Sequence, residues 1–298
     1  MTAPAAPDRA APLRPATWRA AAWMIGGIAS FTAMAIAGRA VSPAHDTFEI
    51  MLYRSVVGVI IVLSVAAIWG KFGEVSLRNL PLQIGRNLAH FTGQNLWFLA
   101  VTVIPLAQVF ALEFTSPLWV LLLAPLVLGE RVRPLQYAVA AIGFGGVLLI
   151  AQPWRGALEL GLLWAAMSAV FFAVTNLLTR KLTRDETVLG ILFWLTVLQL
   201  IFGLVTAGFD GAITPPSVQT LPWLVLIGLA GLCAHFCLTN ALALAPASTV
   251  MPVDFVRLPL AAGIGVLFYN EALDPLILLG GATIIAAAWA NLKLADRR

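Results

Sequence analysis

The sequence predicts an all-α polytopic membrane protein, with ten transmembrane helices arranged as two inverted five-helix repeats. Three observations predict this class: apolar residues fill the whole chain, basic residues fall on one side of the predicted membrane, and one half of the chain resembles the other. Of the 298 residues, 60% are hydrophobic and only 11% are charged, whereas a soluble domain carries roughly a quarter charged residues. The mean hydropathy of +0.92 is spread along the chain, which excludes a soluble domain with a single anchor.

Apolar runs recur between short polar breaks, and each is close to the roughly 20 residues that a helix needs to cross the bilayer. The runs do not alternate in the manner of strands, so backbone hydrogen bonding in lipid leaves helices as the remaining choice. Before the first run, residues 1–17 are rich in Ala and Pro and are predicted to form a disordered cytoplasmic tail. The ten predicted spans are Trp18 to Val41, Thr47 to Trp69, Gln83 to Val101, Pro105 to Leu128, Pro134 to Ala151, Leu158 to Leu178, Val188 to Phe209, Leu221 to Ala245, Ala247 to Tyr269 and Pro275 to Leu292.

The basic residues predict the orientation, because Lys and Arg in short loops mark the cytoplasmic side. Of the basic residues in loops and at span ends, only Arg39 and Arg155 fall on the side opposite the termini. Both termini are therefore predicted to be cytoplasmic, which requires an even number of spans. The isoelectric point near 9.5 follows from this asymmetry, so a membrane-lipid environment is predicted and a nucleic-acid partner is not.

An internal repeat relates the two halves of the chain. Pro246 follows Pro105 by 141 residues, and the same shift aligns the following segments without a gap. We predict repeats at residues 18–151 and 158–293, each with five spans. Because five is odd, the second copy enters the membrane from the opposite side, as is typical of secondary transporters with a substrate site near the midplane. The matched pairs are Pro105 with Pro246, Val109 with Val250, Glu113 with Asp254, Phe114 with Phe255, Leu126 with Leu267, Glu130 with Glu271, and Pro134 with Pro275.

The segment Leu128-Gly129-Glu130-Arg131-Val132, followed by the Pro134 to Ala151 helix, resembles the EamA-type module of the drug/metabolite transporter superfamily. In the second copy Asn270 stands where the family has Gly. Among ten-helix members the chain is most similar to the YddG-like bacterial exporters of aromatic amino acids. The resemblance implies the drug/metabolite transporter fold, a bacterial inner-membrane location, and a cavity lined by spans one, three, four, six, eight and nine.

Polar and aromatic stripes predict which helix faces line that cavity. In the third span four residues recur at three- and four-residue steps and form one polar stripe, for which an interhelical hydrogen-bond seam is the alternative. A similar stripe in the sixth span has helix packing as its alternative. In the eighth span His235 is the polar candidate, beside Gly228 and Gly231. The two stripes are Asn87, His90, Gln94 and Trp97, and Trp164, Ser168, Phe171 and Thr175.

Charged residues within spans are costly and mark functional candidates. At 1.5 Å per residue, Glu113, Asp254 and Arg257 all reach the middle of the membrane. We predict that they form the polar centre of a substrate site, in which Arg257 binds a carboxylate and an acid binds an ammonium. The alternative is a fixed salt-bridge cluster. Pro117 and Pro259, about one turn away, are expected to bend their helices.

Two further arginines lie within predicted spans. Arg54 follows Glu49 by five residues, which favours a structural tie between the two over contact with a substrate. Arg86 lies near the cytoplasmic end of the third span and is expected to reach water or lipid head groups.

The function predicted from these observations is secondary transport by alternating access, without ATP. Motifs for nucleotide binding or catalysis are absent from the sequence, so neither an enzyme nor a cofactor is predicted, and Cys233 and Cys237 lack the neighbours of a metal site. We expect a small-molecule substrate, an amino acid or related metabolite, and export of aromatic and other apolar amino acids, proton-coupled or uncoupled. An exporter of cationic drugs or other small metabolites is the alternative, and an intramembrane enzyme and a channel are the alternatives outside this class.

Overall fold

The computed structural model describes residues 17–129, 132–152, 154, 160–209, 211–269 and 275–296. The predicted tail before Thr17, and Glu130, Arg131, Arg155 and residues 270–274 of the predicted loops, lie outside this description. Within the described residues every regular element is a helix. The α-helices are α1 Thr17–Val41, α2 Thr47–Ile68, α3 Leu80–Val103, α4 Leu106–Glu113, α5 Ser116–Leu128, α6 Pro134–Ala151, α7 Leu160–Leu182, α8 Val188–Thr206, α9 Leu221–Leu244, α10 Ala247–Val250, α11 Arg257–Tyr269 and α12 Pro275–Asp296.

These helices form ten spans, because α4 with α5 makes the fourth span and α10 with α11 makes the ninth. The predicted fold class is thereby confirmed. Among the described residues, α1, α2, α7, α8 and α9 are long and apolar enough to cross a membrane by length and composition alone. With 24 residues α3 is equally long, but it carries the polar stripe, as expected of a helix that faces a cavity.

Both composite spans are broken near their middle, where the sequence predicts continuous helices with a bend. The fourth span breaks at Phe114 and Thr115, directly before the Ser116-Pro117 start of α5. In the ninth span a 3-10 segment, Met251–Val256, separates α10 from α11. Proline lacks the N–H that would continue a helix, and it disfavours helical geometry at the residue before it. The two repeats therefore break at equivalent positions, ahead of the prolines that the sequence singles out.

The packing of the helices has the symmetry of an inverted repeat. Helix α1 packs on α9, and its equivalent in the second repeat, α7, packs on α3. The remaining large contacts join equivalent helices to each other, α2 with α8 and α6 with α12. In the broken spans, α11 packs on α4. Exchanging the two repeats therefore exchanges the first two of these pairs and leaves the pairs α2 with α8 and α6 with α12 unchanged.

Basic residues near the helix ends have a structural role in addition to marking the side of the membrane. A guanidinium nitrogen of Arg180 donates to the carbonyl of Leu242 at the end of α9. Arg184 donates to the carbonyl of Leu128 at the end of α5, at 3.0 Å. The last carbonyls of a helix have no partner within it and carry partial negative charge. Arginines of α7 and the turn that follows it therefore bind the ends of two neighbouring helices.

Candidate substrate-binding cavity

A cavity of about 640 Å³, including its open mouth, lies between α1, α3, α7, α9 and the two broken spans. These are spans one, three, four, six, eight and nine, the set that the family resemblance implies. Among the residues whose side chains the structure describes, none from α2, α6, α8 or α12 lines it. The residues that line it are Met24, Phe31, Met34, His90, Gln94, Trp97, Glu113, Phe114, Ser116, Phe172, Thr175, Asn176, His235, Leu238, Met251, Asp254 and Arg257.

One wall of the cavity is a buried cluster of three charged residues. Arg257, which begins α11, donates from Nη2 to Glu113 Oε1 and to Asp254 Oδ2, the latter at 2.8 Å. Glu113 ends α4, so the break in each composite span supplies one partner of this ion pair. A carboxylate at a helix C-terminus and a cation at a helix N-terminus both oppose the helix dipole. Their mutual pairing, not the helix ends, therefore stabilises the charges.

Aromatic side chains complete this cluster. Trp97 Nε1 donates to the second carboxylate oxygen of Glu113 at 2.7 Å. The guanidinium of Arg257 lies 5.0 Å from the ring centre of Phe31 and 5.1 Å from those of Phe110 and Phe114, within the range of cation–π attraction. The sequence predicts the three charges but not this aromatic enclosure. The spacing of Phe110 and Phe114, four residues apart beside Glu113, is the signal that could have indicated it.

A second wall of the cavity is formed by two histidines. The rings of His90 on α3 and His235 on α9 are 4.5 Å apart between centroids and nearly perpendicular, at 89°. Phe172 packs beside His90 and Phe31 beside His235, at 6.2 and 5.7 Å. The structure thus places the polar candidates of the third and eighth spans side by side, on the same cavity.

Eight of the ten residues predicted for the site line the cavity, and Trp164 and Phe171 do not. Trp164 packs against the apolar core. Phe171 lies against Gly93 of α3, where an added Cβ would come within 2.9 Å of the Phe171 Cβ. The neighbouring residue, Phe172, whose ring also lies against Gly93, lines the cavity instead. Thr175 lines the cavity as predicted, although its hydroxyl donates to the Phe171 carbonyl at 2.8 Å.

Asn87, the first residue of the predicted stripe, belongs to a seam between helices. Its side-chain nitrogen donates to the Gln83 carbonyl at 2.8 Å. Gln199 of α8 donates to the Asn87 carbonyl at 2.9 Å. The alternative interpretation of the stripe is therefore correct at this end of α3, whereas His90, Gln94 and Trp97 lie on the cavity.

Two expectations for arginines are wrong. Glu49 does not pair with Arg54, because it lies 3.1 Å from His45 Nδ1 and accepts from the backbone N–H of Thr214. Arg86 does not reach water, since only 1% of it is exposed. Tertiary packing places both guanidiniums in the interior of the protein.

Seven buried polar atoms on residues that line the cavity have no hydrogen-bond partner in the described chain. Buried polar groups are almost always paired in native proteins, so each such group calls for a ligand or water. The cavity therefore offers donors and acceptors beside aromatic and thioether surfaces. The atoms are both ring nitrogens of His90 and of His235, Ser116 Oγ, Asp254 Oδ1 and Arg257 Nε.

A ten-span inverted repeat with a polar cavity between broken helices defines a multi-pass membrane transporter of small molecules. The chain belongs to the EamA-like transporter family, whose model matches residues 18–152 and 159–292, and thus to the drug/metabolite transporter superfamily. A solved crystal structure superposes with a TM-score of 0.76 at 17% identity, covering 93% of this chain and 98% of that one. At that identity the likeness shows the fold alone.

Several relatives have named substrates. The riboflavin transporter of Rhizobium johnstonii is 37% identical over 78% of this chain and 82% of its own. The S-adenosylmethionine uptake transporter of Rickettsia prowazekii is 25% identical over 81% of each chain. The pseudopaline exporter CntI of Pseudomonas aeruginosa is 26% identical over 90% of this chain and 94% of its own. All three are named as transporters, and their substrates differ.

Proposed function

We propose that this protein transports riboflavin, or a closely related planar heteroaromatic metabolite, across the bacterial inner membrane by alternating access. The observation that carries the proposal is the set of seven unpartnered polar atoms in a cavity lined by aromatic rings. Two relatives named riboflavin transporters support the choice of substrate, at 37% and 32% identity.

The chemistry of the two walls suits such a molecule. Flat rings stack on aromatic side chains, and Phe31, Trp97, Phe114 and Phe172 supply four of these around the cavity. A fused heteroaromatic ring carries donors and acceptors at its edge, and the free nitrogens of His90 and His235 can satisfy them. Neutral imidazole offers one donor and one acceptor, so the pair can match a mixed edge. Binding to these groups would relieve the cost of leaving them buried without partners.

Substrate transport can be measured directly in proteoliposomes that contain the purified protein. We expect uptake of radiolabelled riboflavin above protein-free vesicles and its inhibition by excess unlabelled riboflavin. Imposed proton and sodium gradients show whether the movement is coupled to an ion. Expression in a riboflavin auxotroph should allow growth at lower external riboflavin. If neither vesicles nor cells move riboflavin faster than controls, this choice of substrate is wrong.

Aromatic amino acids moving outward are the second candidate substrate. The observation that favours them is that Arg257 Nε and Asp254 Oδ1 remain unpartnered although the two residues pair with each other. Such a donor and acceptor, side by side, can hold the carboxylate and the ammonium of one amino acid. Labelled tryptophan and phenylalanine in the same vesicles test this candidate, with a quaternary ammonium compound as the probe for cationic drugs. Transport of the amino acids but not of riboflavin would reverse the order of the two proposals.

We propose that both termini lie in the cytoplasm, since the basic residues gather on their side of the membrane. Ala44 lies between α1 and α2 and Asp185 between α7 and α8, on opposite sides, and both are exposed. In intact cells an impermeant thiol reagent should label Ala44→Cys, and it should label Asp185→Cys only after permeabilisation. The background for both is the variant Cys233→Ala/Cys237→Ala. The reverse pattern of labelling would contradict this orientation.

A further inference from the structure

The interior contains a second group of charged residues, apart from the wall formed by Arg257. Arg54 on α2 is 7% exposed and Arg86 on α3 is 1% exposed. Arg86 lies within electrostatic range of Arg54, and both arginines lie within that range of the rings of His90 and His235. Arg54 and Arg86 therefore place two formal positive charges in one region. The cluster of Arg257, Glu113 and Asp254, in contrast, has a net formal charge of one negative.

Neither arginine is neutralised by a carboxylate in the part of the chain that the structure describes. Arg86 donates to neutral oxygens, Thr179 Oγ1 at 3.0 Å and Asn87 Oδ1 at 2.9 Å. Arg54 makes one contact of this kind, from Nη1 to the sulfur of Met51 at 3.6 Å, and a thioether is a weak acceptor. Buried charges in proteins are paired or bind an ion, because an isolated charge is costly in an apolar interior.

The guanidinium of Arg54 lies in a built recess between α2, α8 and α9. Glycine at position 231 makes room for it, since a Cβ there would come within 2.8 Å of Arg54 Nη2. Arg54 also lines a small chamber together with Ser55, Thr196 and Gln199. Its volume is about 260 Å³ including open solvent, and about 20 Å³ of it can hold the centre of a water-sized sphere, which is room for a small ion. The hydroxyls of Ser55 and Thr196 donate to carbonyls of their own helices. Arg54 is therefore the principal donor that remains for a ligand.

We propose that this chamber binds a small monovalent anion, a halide or a carboxylate, at the guanidinium of Arg54, with Arg86 adding positive potential. A singly charged ion suits the chamber, because a phosphate or sulfate needs several donors and most polar groups here are committed. The hydrogen bonds from Gln199 to the Asn87 carbonyl and from Arg86 to the Asn87 side chain join the chamber to Arg86. The bound anion would offset the repulsion between two buried cations and stabilise the contact of α2 with α8 and α9.

The test measures thermal unfolding of the purified full chain in detergent, without a transport substrate, at constant ionic strength. Sodium gluconate, whose anion is too bulky for the chamber, is replaced stepwise by sodium chloride or by sodium formate. We expect the unfolding temperature of the wild type to rise by roughly 3 °C for each tenfold increase in free anion above its dissociation constant. Arg54→Gln should show no such rise, and the exposed control Arg78→Gln should respond as the wild type does.

Each outcome has a definite meaning. A rise with chloride indicates a free inorganic ion, and a rise with formate alone indicates a carboxylate, which a substrate could also supply. An equal response of the wild type and Arg54→Gln, or no response of either, overturns the proposal. Because no substrate is present, this result is independent of the transport measurements.

Two further measurements keep the proposal testable if Arg54→Gln does not fold. Gly231→Ala should displace the Arg54 guanidinium and weaken the response to chloride, whereas Gly85→Ala, at a glycine with no neighbour within 4 Å, should not. Crystals of the wild type grown in sodium bromide should show an anomalous scattering peak beside Arg54. A peak there supports the site, and a map without one overturns it.

Discussion

Replacement of Arg257 by Gln should abolish transport and destabilise the protein. The substitution leaves Glu113 and Asp254 buried without the cation that both contact. Removing one partner of a buried ion pair costs about 3 to 5 kcal/mol of stability. If substrate also binds this wall, we expect the transport rate to fall by at least about 100-fold, since about 2.8 kcal/mol corresponds to that factor. Substrate uptake in proteoliposomes and thermal unfolding in detergent measure the two effects.

A triple variant separates a transport role for this cluster from a purely structural one. Glu113→Gln, Asp254→Asn and Arg257→Gln together remove all three charges and leave none uncompensated, so stability should largely return to that of the wild type. Transport should stay abolished if the charges bind substrate or gate its movement. A triple variant that is folded and transports at the wild-type rate would show that the cluster is only a tie between the fourth and ninth spans.

Replacement of Trp97 by Ala should have the second-largest effect, chiefly on stability. Trp97 is 1% exposed and packs edge-to-face on Phe98 and Phe110, with ring centroids 5.2 and 6.0 Å away. Truncation of a buried Trp typically costs about 3 to 5 kcal/mol. Trp97→Phe keeps most of the packing but loses the hydrogen bond to Glu113, for which we expect about 1.5 to 3 kcal/mol. Unfolding followed by circular dichroism measures both changes.

The control for Trp97 is Trp69, which directly follows the last residue of α2 and is 67% exposed. Trp69→Ala should change stability by no more than about 0.5 kcal/mol. Trp97→Phe should also slow transport, because Glu113 Oε2 loses its donor beside the cavity. If Trp97→Ala unfolds at the temperature of the wild type, Trp97 is not tightly packed around Glu113 in the purified protein.

The depth of a residue in the membrane could be predicted from sequence because it depends on one coordinate. Hydrocarbon thickness sets the number of apolar residues per span, and counting along a span then gives depth. Counting in this way places Glu113, Asp254 and Arg257 at the same depth. In the structure Arg257 forms an ion pair with each of the two acids. Their role in binding substrate stays a prediction.

The direction in which a side chain points around its helix could not be predicted in the same way. The stripe of Ser168 and Thr175 on α7 favours Phe171, yet Phe172 is the ring that lines the cavity. Gly93 of α3 lies against both residues, and of the two only Phe172 lines the cavity, a distinction that the packing of α3 on α7 makes and the sequence does not. The positions of the helix breaks could not be predicted either. Prolines indicate a bend, but only the tertiary structure shows at which residues the α-helix is interrupted.

The sequence by itself determined the class of the protein: the number of spans, the inverted repeat and the level at which three charges meet. These follow from hydrophobicity and spacing, which are local quantities along the chain. Only the tertiary structure decided which polar groups become partners. Arg54 and Glu49 are five residues apart, yet Glu49 pairs with His45 and Arg54 points into a recess at Gly231 on another helix. Neighbours in sequence on a helix face different directions, and helix packing selects the partner of each.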